Sequence, residues 1–378
     1  MNEKITRLLS QQFFPLILVS AGLVYSNYSY GQQFAYAEPA SQFQHAIDRA
    51  REQVEVLMER GAPGVSIAVG VDGDLVWAEG FGFANVEHRL PVTPLTKFRI
   101  GSVSKTMTSI ALGLLYEEGA IDLDAPIQDY LPDFPDKERG VVTLRLLASH
   151  RAGVRHYLPD GSDNLIKDHY DDVVDALEVF KDDPLIDVPG ARYSYSSHGY
   201  NLLSAVLQAA SATEFLTLMR TRVFAPLNLI ETVADHTDYV ISNRAAPYSL
   251  RDTLLINAPY VDNSYKWAGG GFLSTPSDLV QFGFGVFHSG LLKNETLSML
   301  LQPPLLPNGS SADQNYGLGW MRFDEEGAWV GHTGGSVGGN TLFMMNPTED
   351  VVLAVVCNLS GCLGLNRDLR EIGSYFIE

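Results

Sequence analysis

The stretch Arg99-Ile100-Gly101-Ser102-Val103-Ser104-Lys105-Thr106 decides the reading of this chain. It opens a helix, because apolar residues recur at Met107, Ile110, Ala111, Leu114 and Leu115 and Gly119 supplies a stop. Residues three apart share a helix face, so the Ser102 hydroxyl and the Lys105 amine can touch. A serine hydroxyl is a poor nucleophile until a base takes its proton. An amine one turn away, shielded from water so that its pKa falls, can be that base. The helix N-terminus adds free N–H groups and positive potential beside the reacting oxygen. A Ser-x-x-Lys tetrad arises by chance roughly once or twice in a chain of this length, so its placement and its companions carry the inference.

Two companions follow. Tyr195-Ser196-Ser197 precedes a helical stretch, and a tyrosine there could relay protons to a leaving group if a nearby cation stabilised its phenolate. His332-Thr333-Gly334-Gly335 stands at the end of a strand, where a glycine pair lets a ligand approach the backbone. The Gly335 N–H and that of Ser102 could then form an oxyanion hole.

Outward from these motifs, β character lies at both ends of the chain and helical character between. Ala40 to Gly61 reads as a helix, and Val65 to Val71 and Leu75 to Gly80 flank an Asp72-Gly73 hairpin turn. Helical periodicity is clearest at Thr143 to His150, Tyr170 to Phe180, Gly199 to Ala210 and Thr213 to Phe224. Strands are expected at Ala328 to Gly331, Thr341 to Met345 and Val351 to Cys357, and a closing helix at Arg367 to Ile377. The pattern predicts an α/β (α+β) fold: an antiparallel sheet flanked by helices, with an inserted all-helical domain. Residues 40–121 and 264–378 would form the sheet domain, residues 122–263 the helical one, and the catalytic cleft would lie between them.

The 378 residues have ordinary globular composition, and the net charge of −19 argues against nucleic acid as a partner. Cys357 and Cys362 are the only cysteines, so no disulfide framework holds the fold. The intervening Asn358 to Gly361 reads as a strand end and turn, which favours two unpaired thiols over a bridge. Lys4 and Arg7, the apolar run Phe13 to Tyr25 and small residues at Gly31 and Ala37 read as a signal peptide. Cleavage would fall after Gly31, giving a leader of residues 1–31, or after Ala37. The apolar run is too short to span a membrane, so no stable span should remain and the protein should be secreted or periplasmic.

Taken together, the three motifs resemble the serine penicillin-recognising enzymes: class C β-lactamases, D-Ala-D-Ala carboxypeptidases, D-aminopeptidases and related esterases. The resemblance extends to Val142 to His150, Ala268 to Thr275 and Tyr316-Gly317-Leu318-Gly319-Trp320. Val71 to Glu87 and Ser149 to Tyr157 look especially like the mitochondrial serine β-lactamase-like branch and its bacterial relatives. It implies a β-lactamase/transpeptidase-like fold and acyl transfer to Ser102, with Lys105 as activator and Tyr195 as proton shuttle. It further implies that His332, Thr333, Gly334 and Ser197 bind substrate, that the Ser102 and Gly335 amides hold the oxyanion, and that no metal or organic cofactor is used. The substrate would be a small molecule or peptide: an amide, a peptide or a β-lactam.

Two departures bear on substrate. Ser197 stands where the β-lactamases commonly have Asn, and a hydroxyl cannot bridge a substrate amide as a carboxamide does, which disfavours efficient lactam turnover. His332 stands where they commonly have Lys. An imidazole loses its charge near pH 6.5, so carboxylate binding should weaken above neutral pH.

Rival readings fare worse. Gly334-Gly335-Ser336-Val337-Gly338 matches a nucleophile elbow, but Gly339 onward reads as a strand and no histidine follows His332. None of the nine histidines has a spacing typical of zinc ligands. Trp267, Tyr265, Tyr157 and Tyr316 are candidate cleft walls. A carboxylesterase of the same fold, or a receptor that acylates and releases slowly, shares the same residues and stays open.

Overall fold

Val65, Ile67, Val69 and Val71 enter one hydrophobic core and Ala68 the other, so the Gly64–Val71 strand is buried on both faces. Such a strand needs cover on both sides. The computed structural model describes residues 34–35, 41–304, 315–324, 328–365 and 368–377. The expected signal peptide and both cleavage points lie outside the described residues.

The strand pairs with Asp74–Asn85 through a tight turn at Asp72 (φ 54°) and Gly73 (φ 83°), the left-handed pair that a two-residue hairpin requires. On its other edge it pairs with Val351–Cys357, which pairs in turn with Gly339–Asn346 and then Val330–Ser336. Every pairing is antiparallel. Period-2 alternation recurs: Val351, Leu353 and Val355 face one core, and Val352, Ala354 and Val356 the other.

The Gln44–Glu59 helix covers the first face with Ile47, Val54 and Leu57, joined by Ile372 and Phe376 of the Asp368–Phe376 segment. Pro276–His288 covers the second with Leu279, Val280 and Phe282. Its start follows from sequence, since Pro276 takes the first position and Thr275 caps the end by accepting from the Asp278 N–H. The Ser104–Glu117 helix belongs to the same core, buried from Ser104 to Leu115.

Between these parts, Ser197–Ser211 is the main helix, capped by Ser196. Several expectations shorten. Tyr170 to Phe180 holds only a 3-10 turn at Asp175–Val179, and Thr213 to Phe224 is an α-helix at Phe215–Met219 that widens into a π turn. The closing segment is 3-10 rather than α. The middle also carries a hairpin, Tyr248–Arg251 with Leu254–Asn257, turning at Asp252 (φ 56°). The expectation of unpaired thiols is corrected: Cys357 and Cys362 are joined as a disulfide. The turn through Gly361 (φ 73°) brings their Cα atoms to 6.6 Å, within disulfide reach.

Candidate active site

Ser102 lies in a 3-10 turn, Gly101–Val103, that runs straight into the Ser104–Glu117 helix. Gly101 has φ +52°, and a Cβ there would lie 2.6 Å from the Gly335 carbonyl oxygen, so this corner requires glycine. The Ser104 hydroxyl donates to the Gly101 carbonyl (2.8 Å) and the Thr106 hydroxyl to that of Val103 (2.8 Å), which fixes the turn. One turn on, Lys105 returns to the Ser102 side. Its Nζ lies 3.0 Å from Ser102 Oγ, 3.1 Å from Ser197 Oγ and 2.6 Å from the Gly269 carbonyl oxygen.

Lys105 is fully buried, and burial first, then the nearby Lys266 charge, hold its pKa well below the usual lysine range. A neutral amine has two hydrogens and one lone pair. Gly269 O can only accept, so one hydrogen goes there; with the other on Ser197, the lone pair faces the Ser102 O–H. That is the arrangement a general base needs.

Tyr195 stands on the other side, its hydroxyl beside those of Ser102 and Ser197. Burial raises its pKa far above the usual phenol value, and the neighbouring hydroxyls only partly oppose this. The phenolate allowed by the sequence reading is therefore not its resting form. The phenol is a proton donor poised at the nucleophile, although Lys105 Nζ sits 5.0 Å from its ring.

Ser197 Oγ is held by Lys105, and the Tyr157 hydroxyl stands beside it. The Ser197 backbone N–H donates to His156 Nδ1 at 3.1 Å. The Ser196 N–H donates to His150 Nδ1 at 3.2 Å, and the His150 ring packs 4.2 Å from that of Tyr195. Burial drives both imidazoles down, His156 to about 4, so each is a neutral acceptor that positions the start of the Ser197–Ser211 helix. These supports were not visible in sequence.

His332, Thr333, Gly334 and Gly335 lie inside the Val330–Ser336 strand, not at its end. A Cβ on Gly334 would lie 1.9 Å from the Ile100 carbonyl oxygen, so this edge runs flush against the Ser102 turn, with Gly335 exposed beside it. Thr333 is half-buried, its hydroxyl 3.8 Å from Met321 Sδ. His332 itself is fully buried, with Nε2 2.9 Å from the Tyr316 hydroxyl and Nδ1 2.5 Å from the Thr333 carbonyl oxygen. Burial first, then Lys105, pushes its pKa down to about 3. The expected loss of carboxylate binding through His332 titration near pH 6.5 is therefore corrected: the ring is already neutral there.

Of the aromatic candidates, Tyr157 and Tyr265 border the site and Tyr316 sits behind His332. Trp267 turns toward a separate cavity of about 930 Å³, bordered also by Glu214, His236 and Tyr239. None of Ser102, Lys105 or Tyr195 lines that cavity; Ser242 and Lys97 do, but Lys97 Nζ is spent on the Ser242 backbone carbonyl (3.2 Å) and on Glu231, so the Ser102 cleft is the better place for acyl chemistry. Sequence reasoning also passed over Lys266, a lysine buried one residue before Trp267. Among the described residues, no group of three or more His, Cys, Asp or Glu side chains could share a metal ion.

Residues 43–371 match the sequence profile of the family described as Beta-lactamase. The mitochondrial serine beta-lactamase-like protein LACTB of Homo sapiens is 32% identical, over 90% of this chain and 81% of that protein. Penicillin-binding protein 4* of Bacillus subtilis is 26% identical, over 77% of this chain and 67% of its own length. The solved D-amino acid amidase of Ochrobactrum anthropi shares the fold at a TM-score of 0.75 and 22% identity, over 88% of this chain and 99% of that one. With a profile that spans most of the sequence and a relative this similar over nine-tenths of it, the chain belongs to the beta-lactamase family of serine hydrolases.

Proposed function

We propose that this protein is an exported hydrolase of amide bonds in small peptide-like substrates, working through an acyl-enzyme on Ser102. The observation that carries it is the buried Lys105 amine, its pKa held well below the lysine range, 3.0 Å from Ser102 Oγ. Lys105 takes the hydroxyl proton as Ser102 attacks the carbonyl carbon. The oxyanion is received by the Ser102 and Gly335 N–H groups. As the C–N bond breaks, the proton on Lys105 reaches the leaving amine through the Tyr195 phenol. Water then attacks the ester as Lys105 takes its proton, the acyl C–Oγ bond breaks to release the carboxylic acid, and Lys105 returns that proton to Ser102 Oγ.

The amide preference draws support from Tyr195, a donor at the place where an amine must be protonated. Ser197 argues for slow lactam release, because its hydroxyl is committed to Lys105. Export rests on the N-terminal sequence, and the Cys357–Cys362 bridge fits an oxidising compartment.

The test is intact-protein mass spectrometry after incubation with penicillins, D-Ala-terminated peptides and activated esters, comparing wild type with Ser102→Ala. Wild type should gain the acyl mass and release the cleaved peptide; Ser102→Ala should do neither. Equal hydrolysis by both proteins, with no adduct, overturns the reading.

A further inference from the structure

We propose that Lys266 is the residue that receives a negatively charged group of the substrate, a carboxylate, beside Ser102. The proposal rests on the acyl-enzyme reading above and assigns to Lys266 the task expected of His332. His332 is sealed in the core, with both ring nitrogens engaged. Lys105 is occupied by three partners. Arg99 is committed to Asp235 (2.7 Å) and to the Val337 carbonyl (2.8 Å), and Arg244 leans on the same Asp235.

Lys266 differs from all of these. It is only 3% exposed, yet among the described residues its Nζ has neither a hydrogen-bond acceptor nor a carboxylate partner. It rests against two phenol rings, 5.0 Å from the centre of Tyr265 and 5.7 Å from that of Tyr157. Aromatic faces attract a cation but leave its N–H groups unsatisfied. An ammonium so shielded, with no acceptor from the described residues, is poorly solvated, and an incoming carboxylate would satisfy it.

The position suits that role. The Tyr157 hydroxyl stands beside that of Ser197, which contacts Lys105, so the ammonium shares a wall with the nucleophile. The Ser264–Lys266 turn also leads directly into Trp267–Gly270, whose Gly269 carbonyl holds Lys105. The groups that face Lys266 are Arg99, Asp235, Lys105 and the phenols of Tyr157 and Tyr265. Asp235, the carboxylate among them, is already held by Arg99 and by Asn263 (2.8 Å). In a chain of net charge −19, this corner keeps spare positive charge and would favour an anion. Burial first, then Arg99, lowers the Lys266 pKa to about 7 against the pull of Asp235, so its charge fades above that pH.

The test compares kcat/KM for matched esters that differ in charge: 4-nitrophenyl hydrogen glutarate against 4-nitrophenyl pentanoate, and 3-acetoxybenzoate against 3-acetoxybenzamide. The anion-to-neutral ratio within one protein cancels any loss shared by both esters. Wild type at pH 6.5 should favour the anion of at least one pair by about tenfold or more, the size of a charge-assisted hydrogen bond. Lys266→Met should bring that ratio near one. Lys266→Arg should keep the ratio and hold it up to pH 9, where the wild-type ratio has fallen. No anion preference in wild type, or a ratio unchanged in Lys266→Met, overturns the proposal; the second result would mean that Lys266 only tunes Lys105. Ester hydrolysis by Ser102→Ala at the wild-type rate would instead overturn the acyl-enzyme reading.

Discussion

In the proposed reaction Lys105 acts as a base because burial favours its uncharged amine and holds its pKa well below the lysine range. Lys105→Met keeps the apolar stem and removes the base. Its acylation rate should fall by about 10²–10⁴-fold, the usual yield of general-base catalysis, read from the nitrophenol burst with 4-nitrophenyl acetate. A loss below about tenfold would remove Lys105 from that role. Tyr195→Phe should separate two steps. An amine must be protonated to leave, whereas nitrophenolate leaves unaided. The variant should therefore lose about 100-fold or more on a D-Ala-terminated peptide but under about tenfold on the nitrophenyl ester; equal losses would contradict the donor role. Ser102 and Lys105 were legible because helix geometry ties residues three apart to one face. His332 was misjudged because residue type gives an unperturbed pKa but not depth: the sequence shows an imidazole, and only the fold shows it sealed behind Tyr316. Lys266 was passed over for the same reason, since a lysine between aromatics reads as surface until it is found buried.

At the scale of elements, the strands and helices with a strong hydrophobic period were legible. Val351–Cys357 is read to the residue, and the Asp72-Gly73 turn is placed by its chemistry alone. The Tyr248–Arg251 and Leu254–Asn257 hairpin was not, because its strands are largely exposed and its Asp252-Thr253 turn lacks glycine. The closing segment was read as a helix without a type, because its apolar spacing on one face suits either helix type over so short a run. The element that matters most to the site is the Val330–Ser336 strand, pressed against Ile100 and the Ser102 turn. Gly334→Ala tests that contact. The new methyl would meet the Ile100 carbonyl oxygen at 1.9 Å, and a backbone atom cannot swing aside. We expect a loss of about 1–3 kcal/mol in unfolding free energy, read from the urea midpoint, as for other overpacked sites, together with slower acylation as the strand edge moves away from Ser102. Unchanged stability and acylation would show that the strand accommodates the methyl without moving.

For the whole molecule, the decisive join is Gly64–Val71 with Val351–Cys357, which brings the two ends of the chain into one sheet. Local periodicity identifies both strands but not their pairing; that expectation came from the β-helical-β order and from the family resemblance. The closed fold then buries imidazoles that would titrate near pH 6.5 in the unfolded chain. His332 is pushed down to about 3, and His156 and His198 to about 4, in each case chiefly by burial. Between these values and 6.5 the unfolded chain binds protons that the folded chain refuses, so stability falls as pH falls through that window. Above 6.5 both states hold neutral rings and this contribution is constant. Asp163, whose pKa is lowered, adds its own loss only below about 4, while Asp278, raised by burial, opposes part of the change near there. The urea midpoint should therefore drop steadily from pH 6.5 to 4.5, before most carboxylates titrate. His332→Gln keeps a polar partner for Tyr316 without a titrating ring, so its midpoint should fall less steeply over the same interval. A flat wild-type midpoint, or the same slope in both proteins, would mean that these rings take up protons in the folded state as readily as in the unfolded one.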